Sequence, residues 1–219
     1  MLPQRLAAGY QSFLDGRFKT ESTRYQQLGE TGQSPEIMLI GCVDSRVSPE
    51  VIFDAGPGEM LVVRNVANLV PQYETDPTAS HHGTSAAIEF GVNGLKVKHI
   101  VVLGHASCGG VRAFHDHAAP LSQGDFISKW MAQIEPAAER IGPLTGDLKT
   151  DIRRLELAVV EQSLLNLMTF PFVRRAVENG ELELHGAYFG VATGLLFMRD
   201  PATGEFKPCL DEDANGHAA

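Results

Sequence analysis

Cysteine is scarce: the 219-residue chain has three, Cys42, Cys108 and Cys209. Three thiols make no disulfide framework of the kind that staples small secreted domains. In a reducing compartment they are free for metal or redox chemistry, and a Cys42–Cys108 disulfide is the lesser alternative. Excess positive charge is missing too. Eighteen Lys and Arg against 27 Asp and Glu leave a formal charge of −9, which argues against a non-specific nucleic-acid or anionic-membrane surface. No apolar run reaches the roughly 18 residues of a membrane span, and Met1-Leu2-Pro3-Gln4-Arg5 lacks the long apolar region of a secretory signal. A cytoplasmic location is expected, with neither membrane nor nucleic acid among the partners. No internal repeat divides the chain, and 219 residues with 43% hydrophobic content read as one domain, 1–219, around one core.

What the chain does have is glycine, 22 residues of it, and short apolar runs separated by helical patterns. Leu6, Tyr10, Phe13 and Leu14 fall at helical spacing in an arm over residues 1–33. The arm has few apolar residues for its length, so it suits either its own domain or a partner subunit. Ile37 to Ile40 form the buried part of a first strand, and Ser48-Pro49-Glu50 opens a short helix as N-cap and first-turn proline. Met60 to Arg64 gives a second strand and His99 to Gly104 a third, with a helix over 83–92 between them. A helix is expected over 125–141. A longer one over 151–168, apolar on most faces, belongs in a core or a subunit interface. Leu182 to Phe189 is a further strand, and Leu195 to Met198 pairs with Glu205 to Lys207 as a closing hairpin. The polar tail 211–219 is expected to be disordered. Strands alternating with helices predict an α/β fold: a mainly parallel central sheet flanked by helices, with an N-terminal helical arm.

Parallel sheets place their sites at the carboxyl ends of the strands, and two such ends carry ligand-type residues. The strand from His99 runs into Gly104-His105-Ala106-Ser107-Cys108-Gly109-Gly110. There an imidazole and a thiolate leave one tight turn, and the two glycines let the backbone pass close to an ion. The first strand runs into Cys42-Val43-Asp44-Ser45-Arg46. On an extended chain, alternate side chains share a side, which puts Cys42, Asp44 and Arg46 together. Cys42, His105 and Cys108 are a ligand set suited to tetrahedral Zn²⁺ with room for a fourth group. Asp44 is the candidate for that place, either as a ligand itself or as the partner of a bound water. Arg46 is placed to clamp its carboxylate and draw it off the metal.

Together with Arg64-Asn65-Val66-Ala67-Asn68, these two motifs resemble the β-class carbonic anhydrases, and the likeness runs from about Pro35 to Phe197. It implies reversible hydration of CO₂ to bicarbonate and a proton by a zinc-bound hydroxide. It further implies Zn²⁺ as cofactor, Cys42, His105 and Cys108 as its ligands, and Asp44 with Arg46 as the catalytic dyad. The resemblance also implies a closed form in which Asp44 ligates the metal. A homodimer or tetramer whose arms cross to a neighbour is implied as well. Two thiolates neutralise Zn²⁺ where three imidazoles leave its charge intact, so the water it binds is expected to be less acidic and turnover to rise through mildly alkaline pH. One subgroup has an inhibitory bicarbonate site of tryptophan, arginine and tyrosine. Leu39, Arg64 and Phe189 stand at those places here, and no bicarbonate switch is expected.

The alternatives are a carbonyl sulfide or carbon disulfide hydrolase on the same scaffold, a zinc-stabilised binding module closed by Asp44, and an anion cradle at Gly104–Gly110. Arg46 speaks against the second, and the cysteine and histidine placement is idle in the third. His81 and His82 could relay protons to buffer, and His115 and His117 could bind adventitious metal. His185 reads as a satisfied strand residue and Cys209 as a spare thiol.

Overall fold

The computed structural model describes residues 1–75 and 83–210. His81, His82 and the tail from Asp211 lie outside the described residues. In chain order the elements are α1 (Gln4–Asp15), α2 (Arg17–Thr31), β1 (Ile37–Cys42), α3 (Pro49–Ile52), β2 (Met60–Asn65), α4 (Gly83–Glu89), β3 (His99–His105), α5 (Gly109–His115), α6 (Phe126–Met131), α7 (Glu135–Ile141), α8 (Leu148–Leu167), α9 (Pro171–Glu178), β4 (Glu183–Phe189), β5 (Leu196–Arg199) and β6 (Phe206–Pro208).

The strands form a six-stranded sheet in the order β2-β1-β3-β4-β5-β6. β1 is parallel to β2 and β3, and β3 is parallel to β4. The closing pairs β4–β5 and β5–β6 are antiparallel, as the hairpin signal around Asp200–Gly204 predicts. The apolar runs of β1 and β3 are continuous because both faces are covered. Met38, Ile40, Ile100 and Val102 pack on one side with Ile88, Val92, Val160 and Leu167. Leu39, Leu103 and Ala187 pack on the other with Val47, and Phe189 joins them there.

Helix α8 lies close against β3 and β4, and glycine makes the approach possible. A Cβ at Gly104 would sit 2.6 Å from Val160 Cγ2, and one at Gly186 would meet Val160 and Leu164 at 3.2 and 3.1 Å. The helix begins at Leu148, three residues before the expected start, because the Asp147 carboxylate accepts from the Thr150 amide as an N-cap. Its buried face is not wholly apolar: Asp151, Glu156, Gln162, Ser163 and Asn166 are buried with Leu155, Val159 and Val160. The single helix expected over 125–141 is α6, a 3₁₀ turn at Ala132–Ile134 and α7. Pro136 sits in the first turn of α7, where its missing N–H costs nothing, and it cannot continue a helix from before.

The arm differs from the α-helices that follow it. Neither α1 nor α2 has a buried residue. Phe13, Phe18 and Tyr25 pack on one another with ring centroids 5.5–5.9 Å apart, and Leu6 and Tyr10 stay exposed. No helix among the described residues is long and apolar enough to cross a membrane.

Candidate metal centre

β1 and β3 are neighbours and parallel, so both deliver their carboxyl ends to one place. Cys42 is the last residue of β1 and His105 the last of β3, and Cys108 follows in the turn before α5. One ligand-type atom from each, Sγ, imidazole N and Sγ, lies within 4.8 Å of the other two, and all three residues are buried. The two sulfurs are 4.0 Å apart and unbonded, against about 3.8 Å for two thiolates on one tetrahedral Zn²⁺.

Each of these side chains is set by its backbone. His105 Nδ1 bonds the Ala106 carbonyl at 3.0 Å, which leaves Nε2 as the free lone pair. Nε2 is fully buried and has no hydrogen-bond partner. A buried polar atom left unpaired costs about 1–3 kcal/mol, and this one faces two thiols. The thiols cannot both ionise unaided. Cys42 is held well below the ordinary thiol range because the Cys108 S–H donates to it. Cys108 is pushed well up by that same contact and by burial. The pair gives up one proton readily and keeps the other until a cation is present. The donor set therefore fits Zn²⁺, with Cys42, His105 and Cys108 as the residues that would hold it.

Asp44 stands beside this trio. The chain leaves strand geometry after Cys42 and turns at Ser45 and Arg46, so the pairing of Asp44 with Arg46 comes from a turn rather than from strand alternation. Arg46 Nε and Nη2 donate to the two carboxylate oxygens at 2.9 and 2.7 Å, and the Arg46 amide adds a third bond at 3.0 Å. These bonds hold the Asp44 carboxyl well below the usual carboxylate range, with the Arg46 side chain the largest cause. Asp44 Oδ2 lies 3.9 Å from His105 Nε2. The carboxylate is thus engaged with Arg46 at the edge of the ligand cluster. Arg46 Nη2 also donates to the Ser107 carbonyl at 3.0 Å, which ties the β1 turn to the β3 turn.

The sequence family profile described as "Carbonic anhydrase" matches residues 37–196. "Beta carbonic anhydrase 3" of Arabidopsis thaliana is 34% identical over 196 residues, which cover 87% of this chain and 74% of that protein. The chain belongs to the β-class carbonic anhydrases. The solved β-carbonic anhydrase CcaA superposes with a TM-score of 0.84 at 28% identity, covering 95% of this chain and 92% of that one. One of two tetrameric β-carbonic anhydrases from the ascomycete Sordaria macrospora superposes with 0.75 at 30% identity, covering 93% and 97%.

The carbonic anhydrase also holds the Cys42 and Cys108 turns with residues outside those two turns. Glu156 of α8 is buried and accepts from the Cys108 amide at 2.9 Å and from the Tyr188 hydroxyl at 2.7 Å. Burial raises its carboxyl pKa against the pull of those two donors, and burial with the neighbouring Glu156 raises that of Tyr188. Arg64 donates to the carbonyls of Cys42, Asp44 and Val47 at 2.9, 2.6 and 3.0 Å, so it locks the β1 turn. Ala67 and Asn68 both have positive φ, 62° and 47°. That loop is pinned by Ser163 to Asn68 O, by Asn166 to Val70 O and by the Trp130 indole to Val66 O. The Ala67 amide donates to Cys42 Sγ at 3.4 Å.

Gly109 has open space where a Cβ would be, and Gly110 packs against Val66 and Met131. The left-handed residue is Ser107, φ 59°, whose carbonyl Arg46 holds. A glutamate inside the apolar run Leu155-Glu156-Leu157-Ala158-Val159-Val160 was the available signal for Glu156, since a buried carboxylate needs a partner.

Proposed function

We propose that Cys42, His105 and Cys108 hold Zn²⁺ and that Asp44 and Arg46 manage the proton chemistry beside it, in the reversible hydration of CO₂ that this carbonic anhydrase performs. The observation that carries the reading is His105 Nε2, buried without a partner against two thiols and 3.9 Å from an ionised carboxylate. When bound there, Zn²⁺ supplies a Lewis acid that makes a water a nucleophile near neutral pH. Asp44 stays anionic across the working pH range and would accept a hydrogen bond from the reacting water, which fixes its orientation. Arg46 keeps that carboxylate turned from the ligand set, so the fourth place stays open to substrate. Glu156 holds the Cys108 turn in register, and Ala67, Val111, Leu155 and Val159 pack around the sulfurs and keep bulk water from them.

The working unit in this reading is a homodimer or tetramer. The arm's lack of any buried residue, with Leu6 and Tyr10 exposed beside its aromatic cluster, supports an arm that packs on a second copy. Light scattering on the full chain and on a chain lacking residues 1–33 tests this, with a smaller particle expected from the truncation. A truncated chain of unchanged oligomeric state sinks the arm's role.

Stopped-flow CO₂ hydration with metal analysis, on wild type and Asp44→Ala, tests the chemistry. The wild type is expected to carry one zinc per chain. Asp44→Ala is expected to keep the metal and lose roughly a hundredfold or more in kcat. Zinc-loaded protein without CO₂ turnover overturns the reading, and an Asp44→Ala protein of full activity removes Asp44 from it.

A further inference from the structure

A second group of ligand-type side chains sits at the opposite end of the sheet. β3 begins at His99 and β4 at Glu183, and these two are register partners. His185 is two residues further along β4, so it shares a face with Glu183, and both share that face with His99. The three side chains converge. His99 Nδ1 is 3.2 Å from His185 Nε2, and Glu183 Oε2 is 3.7 Å from the first nitrogen and 3.6 Å from the second. All three ligand atoms lie within 4.8 Å of one another.

We propose that His99, His185 and Glu183 form a second metal site for a divalent first-row transition ion, apart from the centre at Cys42. Two nitrogens on one tetrahedral ion at ordinary bond lengths are about 3.3 Å apart, and the imidazole pair already meets that spacing. The carboxylate oxygen closes the third corner by moving a few tenths of an ångström. The residues are only half-buried or exposed, so water completes the shell. Two imidazoles and one carboxylate select zinc, copper, nickel or iron over calcium and magnesium, which prefer oxygen. A bare imidazole–imidazole hydrogen bond explains the 3.2 Å contact. It does not explain a carboxylate oxygen nearly equidistant from both of the bonded nitrogens. Burial and the neighbouring His99 lower the His185 pKa, which keeps that ring neutral and able to ligate. Lys98, whose ammonium pairs with Glu36, leaves Glu183 to the histidines. An ion here would clip the start of β3 to the start of β4, so its binding adds to fold stability.

Equilibrium dialysis of the zinc-loaded enzyme against Zn²⁺, with metal counted per chain, tests the site. A second equivalent is expected in the wild type at micromolar free metal. It should weaken by about tenfold or more in His99→Gln/His185→Gln, while the first equivalent and CO₂ hydration persist. Cu²⁺ added to the zinc-loaded wild type is expected to give an electron paramagnetic resonance spectrum with hyperfine splitting from two nitrogens. His185→Gln alone should lose that pattern, which covers the case of a misfolded double variant. One zinc per chain in the wild type overturns the proposal, and so does a second equivalent that survives the double variant. A Glu183→Gln protein that binds as tightly as the wild type also overturns the three-ligand set.

Discussion

Strand β3 carries a histidine at each end, His99 and His105, about 20 Å apart along the strand. Each histidine meets two further ligand-type side chains within 4.8 Å. At the carboxyl end, His105 is fully buried and its ring is anchored by the Ala106 carbonyl. Cys108 is anchored by Glu156, and the turn of Cys42 by Arg64. At the amino end, His99, Glu183 and His185 come from two adjacent strands, and the three residues are half-buried or exposed. Closeness of donors decides whether an ion can be held. The bracing around the donors decides how tightly it is held and whether its open side can do chemistry.

The sharpest way to break the comparison is to make one substitution at both ends of the strand. His105→Gln is expected to lose zinc and at least about a thousandfold in CO₂ hydration, while His99→Gln stays within about twofold of wild type. Metal content and stopped-flow rates on the two variants decide it, and a large loss in His99→Gln would mean that the two ends are not independent.

Removing a brace should hurt less than removing a ligand. Glu156→Ala is expected to weaken zinc binding by about 10- to 100-fold, read by competition with a chelator. If affinity is unchanged, the Cys108 amide contact is packing and nothing more. A smaller effect still is expected one residue before His105. In Gly104→Ala the new methyl meets Val160 Cγ2 at 2.6 Å, and a β-branched neighbour yields poorly, for a loss of about 1–3 kcal/mol in urea unfolding.

The ends also differ in acid, by the smallest margin. His185 has a lowered folded pKa, caused by burial and then by His99. The unfolded chain therefore takes up its proton first, and stability falls as pH drops below about 6.5 toward the folded value. Asp44, with its folded pKa lowered by Arg46, stabilises above the unfolded carboxylate value near 3.9 and loses that stability only as pH falls through its own lower value. Urea midpoints measured from pH 8 to pH 5 without added transition metal should therefore decline, with Cys42, whose thiol is held below its unfolded range, contributing alongside His185. The decline should be shallower in His185→Gln than in wild type and unchanged in Asp44→Asn. An equal decline in wild type and His185→Gln assigns it to another group.

The sequence made much of the carboxyl end of β3 legible, for a physical reason in each case. Apolar runs such as Ile37–Ile40 and Ile100–Leu103 are long enough for strands and too short for ordinary helices. A ligand-type pair separated by two residues in one turn, His105 and Cys108, is local and needs no fold to be noticed. The closing hairpin at Asp200–Gly204 is local in the same way. The rest depended on neighbours that sequence does not print. Glu156 braces a residue 48 positions away and Arg64 one 22 positions away. The break between α6 and α7 turned on one proline within an otherwise helical pattern.

Residue types and their spacing thus determined by themselves which side chains could ligate zinc, and that the strands would run mainly parallel. Only the tertiary structure decided that Asp44 lies against Arg46, that Glu156 holds the Cys108 turn, and that His99 meets His185 across 86 positions. Ligand identity is a property of single residues. Reach, burial and bracing are set by the register of β1, β3 and β4 and by the helix lying against them.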